Sequence, residues 1–330
     1  MKKDIKRIAI VRLSALGDIV NTAVVLEFIH SYYPNVKIEW ITEEFFAPLL
    51  QEHPLISKVH TINLKKLKKE KSFKLLKENI TKLSSLGTFD VVIDIQGLLK
   101  SAIVARIISK NTHGYDKNSA REGIASFLYK STSHIDYLES IVKRNAFLAS
   151  DALGFEITDK MILNKKAIFP FTHKTISTNG KKNIGIVIGA SWESKKYPKE
   201  LVAKLSEILA ENIFIIWGSE KEKVEAEWIV NNSSFSTLAP KMALNELISY
   251  ISNLDLVIGN DTGPTHMAWA QNVASITLFG PTNRRMIYET PINIAIESPS
   301  NVDILKINKE DFSIKEIDFL EIAKKVRELL

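Results

Sequence analysis

The stretch IKRIAIVRLSALGDIV, residues 5–20, decides how the rest of the chain is read. Ile5–Leu13 is rich in β-branched residues and reads as a strand, SALGD follows, and a helical pattern runs from Asp18 to Tyr33. A strand handing over to a helix through a short loop opens a βαβ unit, and parallel strands of such units are covered on both faces. The pattern then repeats. Strands are expected at Val36–Thr42, Val59–Leu64 and Asp90–Gln96, and helices at 68–86, 98–109 and 134–153. It weakens between Gly154 and Lys182, which reads as a linker. Strands resume at Asn183–Ala190, Ile213–Trp217, Leu256–Asn260, Ser275–Phe279 and Ile292–Ile296. Helices fit Pro198–Leu209, Lys221–Val230, Ala243–Leu254, Pro264–Ala270 and 313–330. The fold class is therefore α/β, with two doubly wound, Rossmann-like domains facing across a cleft. Their expected spans are 1–165 and 166–312, with the terminal helix 313–330 packing back on the first.

Composition narrows the function classes. A length of 330 residues suits two domains of roughly 150 each. A chain 25% charged and 45% hydrophobic is neither disordered nor fibrous. The absence of Cys excludes disulfides, thiolate metal sites, iron–sulfur clusters and cysteine nucleophiles. No apolar run approaches the roughly 18 residues that cross a bilayer. The first apolar stretch, Ile8–Val11, is cut by Arg12 too early for a secretory signal, so a cytoplasmic location is expected.

Charge is uneven: residues 1–170 hold 26 Lys and Arg against 18 Asp and Glu, and residues 171–330 hold 18 against 20. Segment 58–82 alone has nine Lys and two Glu, with Leu64, Leu67, Phe73, Leu76, Ile80 and Leu83 available for an apolar face. One aromatic and no Arg disfavour nucleic acid. An anionic membrane surface or a phosphate-rich partner is the better match, against a merely solvated face.

In open α/β sheets, ligands lie where strands end and helices begin. Three loops qualify. In Arg12–Asp18, Gly17 allows a tight turn, and Asp18 at the helix start is either a cap or a catalytic carboxylate. Neither a G-x-G-x-x-G fingerprint nor a Walker A loop follows the first strand. In NDTGPTH, 260–266, Gly263 permits close backbone approach and Pro264 suits the first helical position. Free amides there would meet a diphosphate, Asp261 fits a sugar hydroxyl, and His266 is a proton donor, a phosphate contact or a structural residue. In SWESKKYP, 191–198, Lys195 or Lys196 is placed to neutralise phosphate, unless the loop is merely solvated. The carboxylates of WGSEKE, 217–222, suit ribose hydroxyls or a helix start. The seven His are scattered, with no H-x-x-x-H and no D-x-D pair, so no metal is expected.

RLSALGDIVNT at 12–22, DVVIDIQGLLKSA at 90–102 and HGYDKNSAREGIASFLY at 113–129 are joined by GASWESKKYP at 189–198 and WGSEKE at 217–222. PKMALNEL at 240–247, NDTGPTH at 260–266 and LFGPT at 278–282 complete the set. Over nearly the whole chain these motifs resemble the ADP-heptose:lipopolysaccharide heptosyltransferases. DIQGLLKSA and SAREGIASFLY resemble the members that add the first heptose more than those that add the second. The resemblance implies a GT-B fold, with the acceptor on the N-terminal half and the nucleotide sugar on the C-terminal half.

It further implies inverting, metal-free transfer of heptose from ADP-heptose to the Kdo of Kdo-lipid A in a Gram-negative bacterium. No cofactor beyond the donor is implied. Asp18 matches the family's base, and Lys195 the group that neutralises the leaving diphosphate. Ser191, Lys195, Trp217, Glu222, Met242, Asp261, Thr262, Gly263 and His266 match the donor site. Arg12, Ser14, Ala15, Gly17, Gln96, His113 and Arg121 match the acceptor side. Arg12 stands where Lys is common, and Ala190-Ser191 replaces a frequent Thr-Thr pair. A monomer touching the anionic inner-membrane surface, with no nucleic acid, is expected. The alternatives are a transferase for a later heptose or another activated sugar, and a nucleotide-sugar-binding protein without catalysis.

Overall fold

β-branched runs become strands wherever both faces can be covered. A computed structural model of the chain describes residues 4–174, 176 and 179–330. Met1–Lys3, before the first strand, and Thr175, Ser177 and Thr178 of the expected linker lie outside the described residues. The chain divides into two units, 1–168 and 169–330.

The first unit holds β1 (Arg7–Val11), β2 (Lys37–Glu43), β3 (Lys58–Ile62), β4 (Val91–Asp94), β5 (Thr112–Tyr115) and β6 (Ser131–Ser133). They form a parallel sheet in the order β3-β2-β1-β4-β5-β6. Its helices are α1 (Leu16–Ala23), α2 (Val25–Tyr32), α3 (Ala47–Gln51), α4 (Leu64–Glu70), α5 (Phe73–Ser84), α6 (Leu99–Ile108), α7 (Ile141–Leu153) and α8 (Asp159–Leu163).

The second unit holds β7 (Asn183–Val187), β8 (Asn212–Ile216), β9 (Ser236–Leu238), β10 (Leu256–Asn260), β11 (Ala274–Phe279) and β12 (Asn293–Glu297). Its parallel order is β12-β11-β10-β7-β8-β9. The helices are α9 (Lys199–Leu209), α10 (Glu220–Asn231), α11 (Leu244–Ile251), α12 (Gly263–Ala270) and α13 (Phe319–Leu329). Both sheets therefore have the same doubly wound order. In each the winding reverses at the central pair, β1 with β4 and β7 with β10, where crevices open in such sheets.

Every residue of β7 is buried, and Ile184, Ile186, Ile213, Ile215, Ile258 and Ile276 stack in one core. In the first unit Ala9, Val11, Ile41 and Val92 do the same. Burying each such Val or Ile contributes roughly 1.5–3 kcal/mol.

Several expected elements differ in their bounds. The helix expected from Asp18 begins at Leu16 and divides at Val24 into α1 and α2. The helix expected over 68–86 is two, because Lys71 takes a left-handed φ of 48° and Ser72 Oγ caps α5 by accepting the Leu75 N–H. The helix expected over 134–153 begins only at Ile141. Strands β5, β6 and β9 escape sequence reading because THGY, STS and STL are short and largely polar. At the C-terminus a 3₁₀ turn, Ser313–Glu316, precedes α13. That helix packs on α9 and β11 and puts Ile322, Ala323 and Val326 into the second unit's core.

Candidate active site

In the first unit the loop after β1 crosses to the end of β4. Arg12 is buried, donating to Ile95 O at 2.6 Å and pairing with Asp18 Oδ1 at 2.7 Å. The Leu13 N–H is accepted by Gln96 Oε1 at 2.8 Å, so Gln96 holds the same loop. Asp18 is the third residue of α1, and its Oδ2 accepts the Ala15 N–H at 3.2 Å. It is thus a helix-start carboxylate but not the N-cap, which is Ala15. Its side chain keeps 26% exposure, so lone pairs remain open to a substrate. Gly17 takes no left-handed φ, and the backbone at Ala15 is extended. Ser14 is half-buried, with Lys100 Nζ at 3.4 Å from its hydroxyl.

Two expected acceptor residues part company here. Arg121 is exposed beyond β5, and among the described residues no hydrogen bond or ion pair engages it. His113 lies in β5, buried, with Nδ1 2.8 Å from Ser131 Oγ and Nε2 2.7 Å from Ser133 Oγ. A ring whose two nitrogens face the next strand's hydroxyls fastens β5 to β6.

In the second unit the charges are buried. Lys195 ends a 3₁₀ turn, Glu193–Lys195, beyond β7, and its Nζ lies 2.5 Å from Asp261 Oδ2. Asp261 follows β10 and also accepts from Thr282 Oγ1 at 2.9 Å and from His266 Nε2 at 3.0 Å. Burial would push its carboxyl up, but the Lys195 ammonium and His266 hold it well below the usual carboxylate range. Ser194 Oγ, Thr262 Oγ1 and His266 Nδ1 are buried and have no protein partner. Buried polar atoms are nearly always bonded, so three on residues within or next to the Lys195–Asp261–His266 cluster make it a candidate ligand site. Thr262 is the N-cap of α12, and Gly263 is its first helical residue. Pro264 sits at the second helical position, one later than expected.

The remaining residues expected at the donor site also lie at or just beyond C-terminal strand ends. Trp217, after β8, donates Nε1–H to Ala239 O at 2.8 Å and carries Lys241 Nζ 4.6 Å from its ring centroid. Glu222 is the third residue of α10, and its Oε2 accepts the N–H groups of Gly218 and Ser219. A Cβ at Gly189 would meet that carboxylate at 3.0 Å, so glycine lets the loop after β7 approach it. Ser191 is exposed, and Met242 is half-buried between β9 and α11. Among the described residues no group of three or more His, Asp and Glu could hold a metal ion. No helix among them is long and apolar enough to cross a membrane.

Residues 82–304 match the model of glycosyltransferase family 9 (heptosyltransferase). The chain belongs to glycosyltransferase family 9. It is 39% identical to lipopolysaccharide heptosyltransferase 1 of Campylobacter coli, over 98% of each chain. With lipopolysaccharide heptosyltransferase 1 of Escherichia coli K12 it shares 27% identity, over 85% of this chain and 90% of the relative. The solved E. coli heptosyltransferase WaaC with ADP is 23% identical and superposes with a TM-score of 0.81, covering 98% of this chain and 100% of that one. That last likeness is one of fold, and the fold is GT-B.

As a family 9 glycosyltransferase the chain is an enzyme, and two residues missed by sequence reasoning brace the Lys195–Asp261 cluster. Asn260 donates Nδ2–H to Ile188 O and Gly189 O, each at 3.1 Å, and its Oδ1 accepts the Tyr197 N–H at 3.0 Å. One buried amide thereby sets the loop of Lys195 against β10. Thr282, the last residue of LFGPT, steadies Asp261. Their place inside the motifs was the available signal; their bonds were not.

Proposed function

We propose that this enzyme transfers L-glycero-D-manno-heptose from ADP-heptose to the Kdo residue of Kdo-lipid A, the first heptose of the lipopolysaccharide inner core. The reading of the donor rests on the buried Lys195–Asp261 pair with three unengaged polar atoms beside it, at the N-terminus of α12. That arrangement supports binding a diphosphate whose charge grows as a sugar leaves. The choice of acceptor is supported by the end-to-end likeness to heptosyltransferase 1 of C. coli.

The Asp18 carboxylate takes the proton from the acceptor hydroxyl as that oxygen attacks the anomeric carbon from the face opposite ADP. The bond from carbon to diphosphate oxygen breaks, the configuration inverts, and ADP departs with the electron pair. The Lys195 ammonium and the Gly263 and Thr265 amides, which have no intrahelical acceptor by position, receive the developing charge. Glu222 takes ribose hydroxyls, Asp261 heptose hydroxyls, and Trp217 and Met242 line the adenine with Ser191 near the phosphates. Arg12 aligns Asp18, while Ser14, Ala15, Gln96 and Arg121 meet the acceptor. The enzyme works as a cytoplasmic monomer, without metal, and its Lys-rich segment 58–82 meets the anionic inner-membrane surface.

Mass spectrometry of purified protein with ADP-heptose and Kdo-lipid A, in EDTA, tests this. One added heptose is expected. Asp18→Ala should lower turnover by at least about 100-fold with donor affinity nearly unchanged. ADP-heptose binding without product would move the acceptor to a later core sugar, and unchanged turnover in Asp18→Ala would remove it from the mechanism.

A further inference from the structure

The outward stripe of a helix that covers a sheet is normally polar. That of α6 is mixed: Leu99 and Ile103 stand exposed one turn apart, with Lys100 and Arg106 between and beyond them. α6 packs against the 3₁₀ turn Gly123–Leu128, in which Ile124 and Phe127 are 60% and 77% exposed. Three residues apart in a 3₁₀ turn, they share one side. Glu122 Oε2 accepts the Leu99 N–H at 2.7 Å, which ties the start of this turn to the start of α6. α5 packs on α6 as well, and carries Phe73 at 87% exposure beside Lys74 and Lys77. Lys130 is exposed just beyond the turn.

Single exposed apolar residues need no explanation, but a set on three packed elements, interleaved with cations, marks an interaction surface. Long aliphatic stems under ammonium groups and apolar tips between them match anionic headgroups above acyl chains. Lys100 also reaches toward Ser14, so this face borders the loop that carries Asp18.

We infer that α5, α6 and the Gly123–Leu128 turn form a docking face for an anionic phospholipid bilayer. Ile124 and Phe127 insert below the headgroups, while Lys100, Arg106 and Lys130 contact the phosphates. The docking is then apolar as well as electrostatic, and reaches beyond the Lys-rich segment. It deepens the reading of a lipid-borne acceptor and rests on that reading for its purpose.

The full-length protein is sedimented with vesicles of equal parts phosphatidylglycerol and phosphatidylethanolamine, and with phosphatidylcholine vesicles as control. Binding to the anionic vesicles is expected, reduced roughly tenfold or more in the Ile124→Ser, Phe127→Ser double variant, since each buried apolar side chain contributes on that scale. Arg106→Gln with Lys130→Gln should weaken binding mainly at low salt. Because the substituted apolar residues are exposed, thermal unfolding of the double variant should match the wild type.

Transfer to a lipid-borne acceptor in vesicles should drop in the double variant, while transfer to a water-soluble, deacylated acceptor stays unchanged. Failure of the wild type to sediment, or equal sedimentation of the double variant, overturns the inference. So does light scattering that finds a wild-type dimer dissociated by the double substitution, because a second copy would then cover the face. Vesicle binding that follows these expectations, with no heptose transfer to either acceptor, would sustain the docking face and reject the proposed reaction.

Discussion

Asp94 and Asp261 occupy matching places in the two units. Asp94 ends β4, the strand beside β1 at the reversal of the first sheet, and Asp261 follows β10, the strand beside β7 in the second. Both are buried. Their surroundings are opposite in kind. Asp94 accepts from the Tyr129 hydroxyl at 2.7 Å and the Gln96 N–H at 2.9 Å, and burial pushes its carboxyl up despite these neutral donors. Asp261 faces Lys195 and His266, which overcome the burial and hold it down. A buried carboxylate among neutral donors braces a backbone excursion, here the one between β4 and β6. Beside a cation it becomes part of a fixed charge pair that can act on a ligand.

The sharpest way to break this comparison is to remove each charge in turn. Asp261→Asn leaves the Lys195 ammonium buried without its counter-charge and should cost about 3–5 kcal/mol in urea denaturation at neutral pH. Asp94→Asn keeps an acceptor for Tyr129 and should cost less, about 1–3 kcal/mol at most. Equal costs would mean that the cation beside Asp261 is not what distinguishes the two sites.

The pH dependence should separate them as well. The Asp94 contribution is complete below the ordinary value of 3.8 and is lost as pH rises through its raised value in the fold. The Asp261 contribution is present above that ordinary value and is lost as pH falls toward its depressed one. Asp94→Asn should therefore flatten the stability curve above about pH 4, and Asp261→Asn below it. Stability measured across the acid range in both variants checks the sign.

A smaller effect sharpens the role of the donor loop. Asn260→Ala should lower kcat/KM roughly 10- to 100-fold by letting the Lys195 loop drift, and Asn260→Gln should not restore it, since the longer amide cannot span the same carbonyls. Steady-state kinetics at varied ADP-heptose would read this. The smallest change is expected on the first unit's surface. Replacing Lys65, Lys66, Lys68 and Lys69 by Gln should raise the acceptor KM a few-fold at low salt, an effect gone near 1 M salt, where the screening length is about 3 Å. No change at low salt would leave this segment merely solvated.

Much of the fold was legible because alternation of β-branched runs with amphipathic helices is written locally. The core strands β1, β2, β7, β8, β10 and β11 could be found this way. Strands β5, β6 and β9 could not, since three or four mostly polar residues become strands only by pairing with a neighbour already in the sheet. The motif loops were legible as strand-end loops with glycine, proline and charge. What each side chain bonds there was less so: the bonds of His113 to Ser131 and Ser133 depend on strand pairing, and Asn260 passed unnoticed inside its own motif.

The sequence by itself determined two doubly wound units, the candidate loops at their strand ends and the family to which the chain belongs. Only the tertiary structure decided which charge meets which partner. Lys195 and Asp261 are 66 residues apart, and Arg12 finds Ile95 across 83. Hydrophobic period and turn chemistry depend on near neighbours along the chain. The partner of a buried charge depends instead on which distant strands the sheet order sets side by side.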